Sequence, residues 1–325
     1  MIATLDIKGF KSVKDIHLDC KRINLFIGEP NTGKSNILEA LGFLSFCGRG
    51  GNLRDYVRLD TTPALFYDAF VEPGLWSLKC GGDIKAEIVA TYRNNRFEFA
   101  RSEQTKPFLS LDHQAKALGG GSWQREFETI RFYRPSSFEK FEAADLGGLL
   151  PPDGRNLVAQ VYSSRELRQL VAEYYAPSGW LFVIKPHERK FEIQKQMEGV
   201  AVGLPFHLGS DTLQRMVFYA VAIDSNKESV LVFEEPESHA FPYYTKHLGE
   251  RIAMDENRNQ YFIATHNPYL LTAIWEKSAA GDVAVFATYY KDFETKVKPL
   301  TPDDMAWLFQ ADPFLGVSHL VEEAP

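Results

Sequence analysis

Near the start of the chain, Gly28-Glu29-Pro30-Asn31-Thr32-Gly33-Lys34-Ser35 fits the spacing G-x-x-x-x-G-K-[ST]. That spacing suits a polyphosphate. Gly28 and Gly33 let the backbone curl so that N–H groups point inward at phosphate oxygens. Lys34 can reach the β- and γ-phosphates of a nucleotide, and the Ser35 hydroxyl can ligate Mg²⁺. A helix opening at Lys34 would turn the positive end of its dipole toward the same anion.

Two further segments place charge at the end of an apolar run. Val230-Leu231-Val232-Phe233 reads as a buried parallel strand and ends in Glu234-Glu235-Pro236-Glu237. Adjacent carboxylates at a strand end call for a cation nearby. One of them can hold the shell of a Mg²⁺ ion, and the next can take a proton from an attacking water or orient it. Tyr261-Phe262-Ile263-Ala264 repeats the design and ends in Thr265-His266-Asn267-Pro268, where His266 could reach a γ-phosphate. The other seven histidines have no such context. A third segment, Leu208-Gly209-Ser210-Asp211-Thr212-Leu213-Gln214-Arg215, opens a helix with small polar residues. Free N–H groups there could meet an anion, or the segment could be an N-cap and nothing more.

The flanking patterns supply the elements that these groups need. Alternation predicts strands at 3–7 and 16–20, and residues 23–27 form a strand leading into the glycine loop. Ile37, Leu38, Leu41 and Leu44 predict a helix from about residue 34 to 46. Residues 63–101 read as antiparallel β, with runs at 65–67, 76–80, 86–92 and 96–99 and turns at Gly81-Gly82-Asp83 and Asn94-Asn95. Residues 104–124, which include Gly119-Gly120-Gly121, read as a mobile loop. Ser164 caps a predicted helix with Leu167, Leu170, Val171 and Tyr174 on one face, followed by strands at 180–184 and 190–195. After about residue 205, helices and strands alternate, the sign of βα units and a parallel sheet.

Composition narrows the class. Hydrophobic residues are 45% of the 325-residue chain and charged residues 24%, enough for a full core. The formal net charge of -7 offers no global basic field to a nucleic acid. No apolar run approaches a membrane span, and the first residues lack the pattern of a signal peptide, so a cytoplasmic location is the expectation. Cys20, Cys47 and Cys80 are scattered without metal-ligand spacing and read as reduced structural thiols. Two basic runs, Arg49/Arg54/Arg58 and Arg93/Arg96/Arg101, read as solvated surface.

Taken together, these segments resemble the ABC-type ATPases of the SMC, RecF and OLD kind, and among them the small RecF/OLD-like AAA-type ATPases without a coiled coil or a TOPRIM domain. Gly9-Phe10-Lys11-Ser12-Val13-Lys14-Asp15 looks like their shared opening, and Lys34-Ser35-Asn36-Ile37-Leu38-Glu39-Ala40-Leu41 like their first helix. Leu149-Leu150-Pro151-Pro152-Asp153-Gly154-Arg155-Asn156-Leu157 is similar to a segment of the small RecF/OLD-like members. The resemblance covers both ends of the chain well and the middle weakly.

By that resemblance the fold is α/β, a P-loop NTPase of ABC type with a mostly parallel core sheet, an antiparallel β part and a helical inserted segment. Residues 1–325 then form one ATPase unit, divided into a Walker A part (1–60), an antiparallel β part (61–135), an inserted part (136–205) and a part with signature, Walker B and switch motifs (206–325). Gly28, Glu29, Pro30, Asn31, Thr32, Gly33, Lys34, Ser35 and Asn36, with Lys11, would bind ATP. Ser35 and Glu234 would serve Mg²⁺, Glu234 through a water. Glu235, His266 and Lys34 would be catalytic. Gly209, Ser210, Asp211 and Thr212 would stand at the signature that closes the site of a second protomer.

The implied activity is ATP hydrolysis by an ATP-dependent homodimer, in DNA maintenance or mobile-element defence, with DNA or an effector protein as further partners and no membrane. An ATP-sensing scaffold that holds a nuclease or toxin is the alternative reading. A transporter subunit fits poorly with the altered signature and with the opening at residues 9–15. Three residues depart from the family pattern: Glu234 for the usual Asp, Pro30 for Asn, and Asp211 for Gly. No Q-loop glutamine can be assigned. Roughly 170 residues without heptads separate Walker A from the signature, too few for SMC arms. Roughly 60 follow His266, too few for a TOPRIM domain, so no intrinsic nuclease activity is expected.

Overall fold

The computed structural model describes residues 1–71, 76–118, 123–142, 147–310, 316, 320 and 321. The chain opens with β1 (Ile2–Phe10), β2 (Val13–Asp19), β3 (Ile23–Ile27) and α1 (Lys34–Arg49). Next come β4 (Ser77–Gly82), β5 (Ala86–Arg93), β6 (Arg96–Arg101), β7 (Leu109–Leu111) and β8 (Ile130–Tyr133). Helices α2 (Leu157–Ser163) and α3 (Arg165–Tyr175) lead to β9 (Leu181–Lys185), β10 (Lys190–Met197) and β11 (Val200–Pro205). The remainder alternates: α4 (Asp211–Ser225), β12 (Val230–Glu234), α5 (Pro242–Ala253), β13 (Gln260–Ala264), α6 (Pro268–Lys277), β14 (Val283–Lys291), β15 (Glu294–Pro299) and α7 (Pro302–Gln310).

Three sheets result. The core sheet has the order β15-β14-β3-β13-β12-β8, parallel throughout except for the β14–β15 hairpin. An antiparallel sheet has the order β2-β1-β4-β5-β6-β7, and a smaller one β11-β10-β9. The period of two along a strand explains the layers. On β3, Phe26 faces α1 and the antiparallel sheet, whereas Ile23, Leu25 and Ile27 face the second core beneath α2 to α6. On β12, Val230 and Val232 take the first side, and Leu231 and Phe233 the second. Both faces are covered, which is why these strands are continuously apolar. Helix α1 lies between the two large sheets and is buried from Ile37 to Gly48, as a helix without a solvent face must be.

The antiparallel layer is tied to α1 by aromatic packing. Trp76 is buried, its indole Nε1 donates to Leu65 O at 3.0 Å, and its ring lies edge-on to Phe43 of α1 and Phe99 of β6. Asn94 (φ 49°) and Asn95 (φ 61°) form the tight turn between β5 and β6 as expected.

The structure departs from the sequence reading in several places, one of them β7 (Leu109–Leu111), which forms within residues 104–124, read above as a loop. Residues 65–67 are not a strand: Thr62–Leu65 and Tyr67–Ala69 are short 3₁₀ turns, and Phe66 makes only one bridge, to Phe10. Pro63 in the first turn favours that geometry. Within the inserted part the strands expected at 180–184 and 190–195 form as β9 and β10, and β11, which carried no expectation, completes a sheet beside α2 and α3. β8 had no expectation at all, and it is an edge strand of the core sheet. The stretch Gly119-Gly120-Gly121, read above as a mobile loop, lies outside the described residues.

Replacing Trp76 by alanine should cost about 3–5 kcal/mol, because it empties a site between sheet and helix that cannot collapse. Urea unfolding would show this as a lowered midpoint with an unchanged slope.

Candidate functional site

Four neighbouring parallel strands end at one edge of the core sheet. The ladder pairs Tyr133 with Phe233, Glu234 with Ala264, and Ala264 with Phe26. Side by side the strand ends therefore offer Arg134, Glu234-Glu235, Thr265-His266 and the loop at Gly28. Ligands bind at such a carboxyl edge in open α/β sheets.

The loop itself is shaped by backbone constraint. Gly28 has φ 144°, and a Cβ there would stand 2.1 Å from Thr288 O. Gly33 has φ 93°, and its Cβ would stand 1.9 Å from Thr295 Oγ1. The β14–β15 hairpin thus presses on both glycines, and no larger residue fits. Gly33 is also the N-cap of α1, where no side chain caps the helix and no acidic residue sits in the first turn. Its N-terminal dipole is left for an anion.

Lys34 is folded back across the loop. Its Nζ donates to Gly28 O (2.9 Å), Glu29 O (2.6 Å) and Thr32 Oγ1 (3.3 Å). Burial lowers its pKa to about 8, against the opposing pull of Glu235 and Glu29. Asn36 Nδ2 donates to Ser12 Oγ (2.6 Å), which in turn bonds Thr295 Oγ1 (2.6 Å), so the opening hairpin braces the first turn of α1. Among the described residues the Ser35 hydroxyl has no hydrogen-bond partner.

Glu235 and His266 meet across the strand ends. His266 Nε2 lies 3.1 Å from Glu235 Oε1. An ionised carboxylate only accepts, so Nε2 carries the proton in that contact. Burial, then Lys34, lowers the histidine pKa against the pull of Glu235, which keeps the imidazole neutral near pH 7. Ser238 Oγ donates to Glu235 Oε2 (3.2 Å) and Arg215 Nη2 to Glu235 O (3.1 Å). Glu235 itself has φ 43°, a strained conformation for a non-glycine residue at a functional edge.

One residue that carried no sequence assignment joins the two loops. Glu237 is buried, and its Oε1 accepts from Thr265 Oγ1 (2.5 Å) and His266 N (3.2 Å). Burial raises its pKa to about 7. The signal in the sequence was a third carboxylate after Pro236, matched to the hydroxyl of Thr265.

Two cations converge on a buried carboxylate. Lys11, assigned above to the nucleotide, bonds the Glu39 carboxylate and Arg58 O (2.6 Å). Glu39 is fully buried in α1 and must be neutralised there, which fixes where the lysine points. Arg58 is not merely solvated surface. Its Nε donates to Glu39 Oε1 at 2.7 Å, and its Nη2 lies 3.3 Å from Glu234. Arg134 Nη2 lies 3.2 Å from Glu234 Oε2 and 3.5 Å from Glu39 Oε1.

The segment from Gly209 to Thr212 stands apart from the phosphate loop of its own chain. Ser210 caps α4 by accepting from Leu213 N, Thr212 Oγ1 donates to His239 O (2.6 Å), and Asp211 is exposed. No hydrogen bond or ion pair joins these residues to 28–36 among the described residues.

Mg²⁺ is tested by the donor set. Ser35 Oγ, Glu234 and Glu235 are hard oxygen donors, the type this ion takes. Among the described residues no group of three or more His, Cys, Asp or Glu could hold a metal alone. The oxygen donors at Ser35, Glu234 and Glu235 would fit an ion that takes its remaining ligands from bound phosphates, as Mg²⁺ usually does.

Comparison with known proteins agrees with this arrangement. A family model described as an AAA ATPase domain matches residues 1–58. Another, described as an AAA domain, putative AbiEii toxin, type IV TA system, matches residues 178–272. DNA replication and repair protein RecF of Bacteroides fragilis (strain YCH46) is 25% identical over 138 residues, 38% of this chain and 36% of the relative. RecF of Bacteroides thetaiotaomicron gives the same identity and coverage. The match thus spans little more than a third of these relatives. Among solved structures, an SMC head bound to the C-winged helix domain of ScpA aligns with TM-score 0.53 and 15% identity over 94% of this chain and 99% of that one. An SMC head with an extended coiled coil, bound to the C-terminal domain of ScpA derived from Pyrococcus furiosus, aligns with TM-score 0.55 and 13% identity over 95% and 98%. The fold is that of an SMC head, and with the two family models and the RecF matches it supports an ABC-type ATPase of the SMC/RecF kind. No helix among the described residues is long and apolar enough to cross a membrane.

The Lys34 environment generates a pH dependence. The free-state pKa is about 8, and a phosphate beside the ammonium would raise it. ATP affinity should therefore be full below that value and fall as pH rises through it, by about tenfold between pH 7 and 9. Calorimetric titration across that range should show the loss, and Lys34→Arg, which does not titrate, should flatten it.

Proposed function

We propose, from the premise of an SMC/RecF-like ABC-type ATPase, that the chain binds Mg-ATP at this edge and hydrolyses it within an ATP-gated homodimer. The observation that carries the reading is the alignment of the Gly28 loop, His266 and Glu234-Glu235 by three adjacent parallel strands.

In this reading the β- and γ-phosphates take the place of the carbonyl oxygens that Lys34 now bonds. The N–H groups at the start of α1 bind the same oxygens. Ser35, and Glu234 through a water, would hold Mg²⁺, which would supply charge neutralisation to the phosphates. Glu235 orients the attacking water and accepts its proton, while His266 Nε2–H bonds its Oε1. His266 contacts the γ-phosphate, and Glu237 fixes its loop.

The dimer is supported by the exposure of Ser210 and Asp211, which make no hydrogen bond or ion pair to residues 28–36 among the described residues. A second protomer in two-fold arrangement would bring Gly209, Ser210, Asp211 and Thr212 against the first protomer's nucleotide. Asp211 in the first turn of α4 adds a negative charge there, which favours slow turnover and the alternative reading as an ATP-sensing scaffold for an effector. A role in DNA maintenance or mobile-element defence is in keeping with the RecF relatives and with the toxin–antitoxin description of the second family model.

Glu235→Gln should retain nucleotide and slow hydrolysis by at least about 10²-fold. Light scattering on that variant tests the dimer: its mass should double on addition of Mg-ATP. A mass that does not change with nucleotide would contradict the gated dimer.

A further inference from the structure

Arg134 is the first residue after the edge strand β8 and leaves the sheet beside Glu234, because Tyr133 pairs with Phe233. Its backbone N–H is fixed by Pro152 O at 2.7 Å, and its guanidinium lies over the Phe132 ring at 5.2 Å. We propose that Arg134 is a phosphate-binding residue that reads the terminal phosphate of the nucleotide, and that it rests on Glu234 when the nucleotide is absent.

Three observations support this. The first is charge. Lys11, Arg58 and Arg134 face two carboxylates, Glu39 and Glu234, which leaves one positive charge in excess. Glu39 already has Lys11 and the Arg58 Nε, so it does not need the 3.5 Å contact from Arg134. The second is donor capacity. Both ion pairs of Arg134 use Nη2, its side chain is 32% exposed, and among the described residues Nε and Nη1 make no hydrogen bond. A planar guanidinium with free donors matches the geometry of a phosphate. The third is position. Ser35 and Glu39 are four residues apart on α1 and so share one face, about 5.4 Å along the axis. Arg134, in contact with Glu39 and Glu234, therefore lies against the face of α1 that carries Ser35. A γ-phosphate arriving there would offer a stronger partner than Glu234 and would release that carboxylate toward the Mg²⁺ shell.

This inference rests on the reading of the edge as an ATP site, and the choice of ligands separates the two. ADP lacks the group that Arg134 is proposed to read. Calorimetric titration would compare wild type, Arg134→Gln and Arg134→Lys, each with a non-hydrolysable ATP analogue and with ADP in Mg²⁺. Arg134→Gln should weaken the analogue by at least about tenfold and ADP by no more than about twofold. Arg134→Lys should recover part of the preference for the analogue. Equal losses for both ligands, accompanied by a lowered Tm, would assign Arg134 a purely structural role and overturn the inference, as would unchanged binding of both. Wild type binding neither ligand would overturn the ATP reading itself.

Discussion

Parallel pairing of β3, β13, β12 and β8 is the constraint on which the candidate site depends. Hydrogen bonds along the ladder hold the strands in register, so the residues that follow each strand emerge at one edge. No single segment carries the chemistry. A phosphate loop, a histidine, a carboxylate pair and an arginine, distant in sequence, become neighbours because their strands stop together. The hydrophobic faces do the rest: α1 and the antiparallel sheet cover one side and helices α2 to α6 the other, and both sides exclude water from the ladder.

The edge concentrates charge, and the protein manages it by pairing. Glu39, buried in α1, is neutralised by Lys11 and Arg58, with Arg134 at the longer distance of 3.5 Å. Glu237 takes another route: it is buried, accepts from Thr265 and His266, and holds its proton more tightly than an exposed carboxyl. Lys34 occupies the mouth of its own loop, where burial weakens its hold on a proton until an anion arrives. On the proposed reading these arrangements would suit a polyphosphate, and the β14–β15 hairpin leaves room only for glycine at positions 28 and 33.

What could be read in the sequence was local. The phosphate loop announces itself by spacing, and its strand and helix by periodicity, so Gly28 to Asn36 fell where expected. The strands before Glu234 and His266 were legible because a strand buried on both faces is continuously apolar. What was not legible depends on partners across the sheet. Arg134 follows a four-residue strand too short for a pattern, and only the register with β12 gives it meaning. Arg58 looks like an ordinary surface cation, and Lys11 like a nucleotide ligand by resemblance, until Glu39 is seen to be buried. Residues 65–67 have the composition of a strand, yet apart from the Phe66 bridge to Phe10 they do not pair, because burial satisfies the side chains of Leu65 and Phe66 and short turns satisfy part of the backbone.

The most direct test of the account is whether the chain binds ATP through this edge. Isothermal titration of Mg-ATP into wild type and into Lys34→Ala would decide it. The account predicts saturable binding to wild type and loss of tight binding in the variant, with Tm little changed, since Lys34 bonds only its own loop in the absence of nucleotide. Equal affinity of the two proteins for ATP would contradict it.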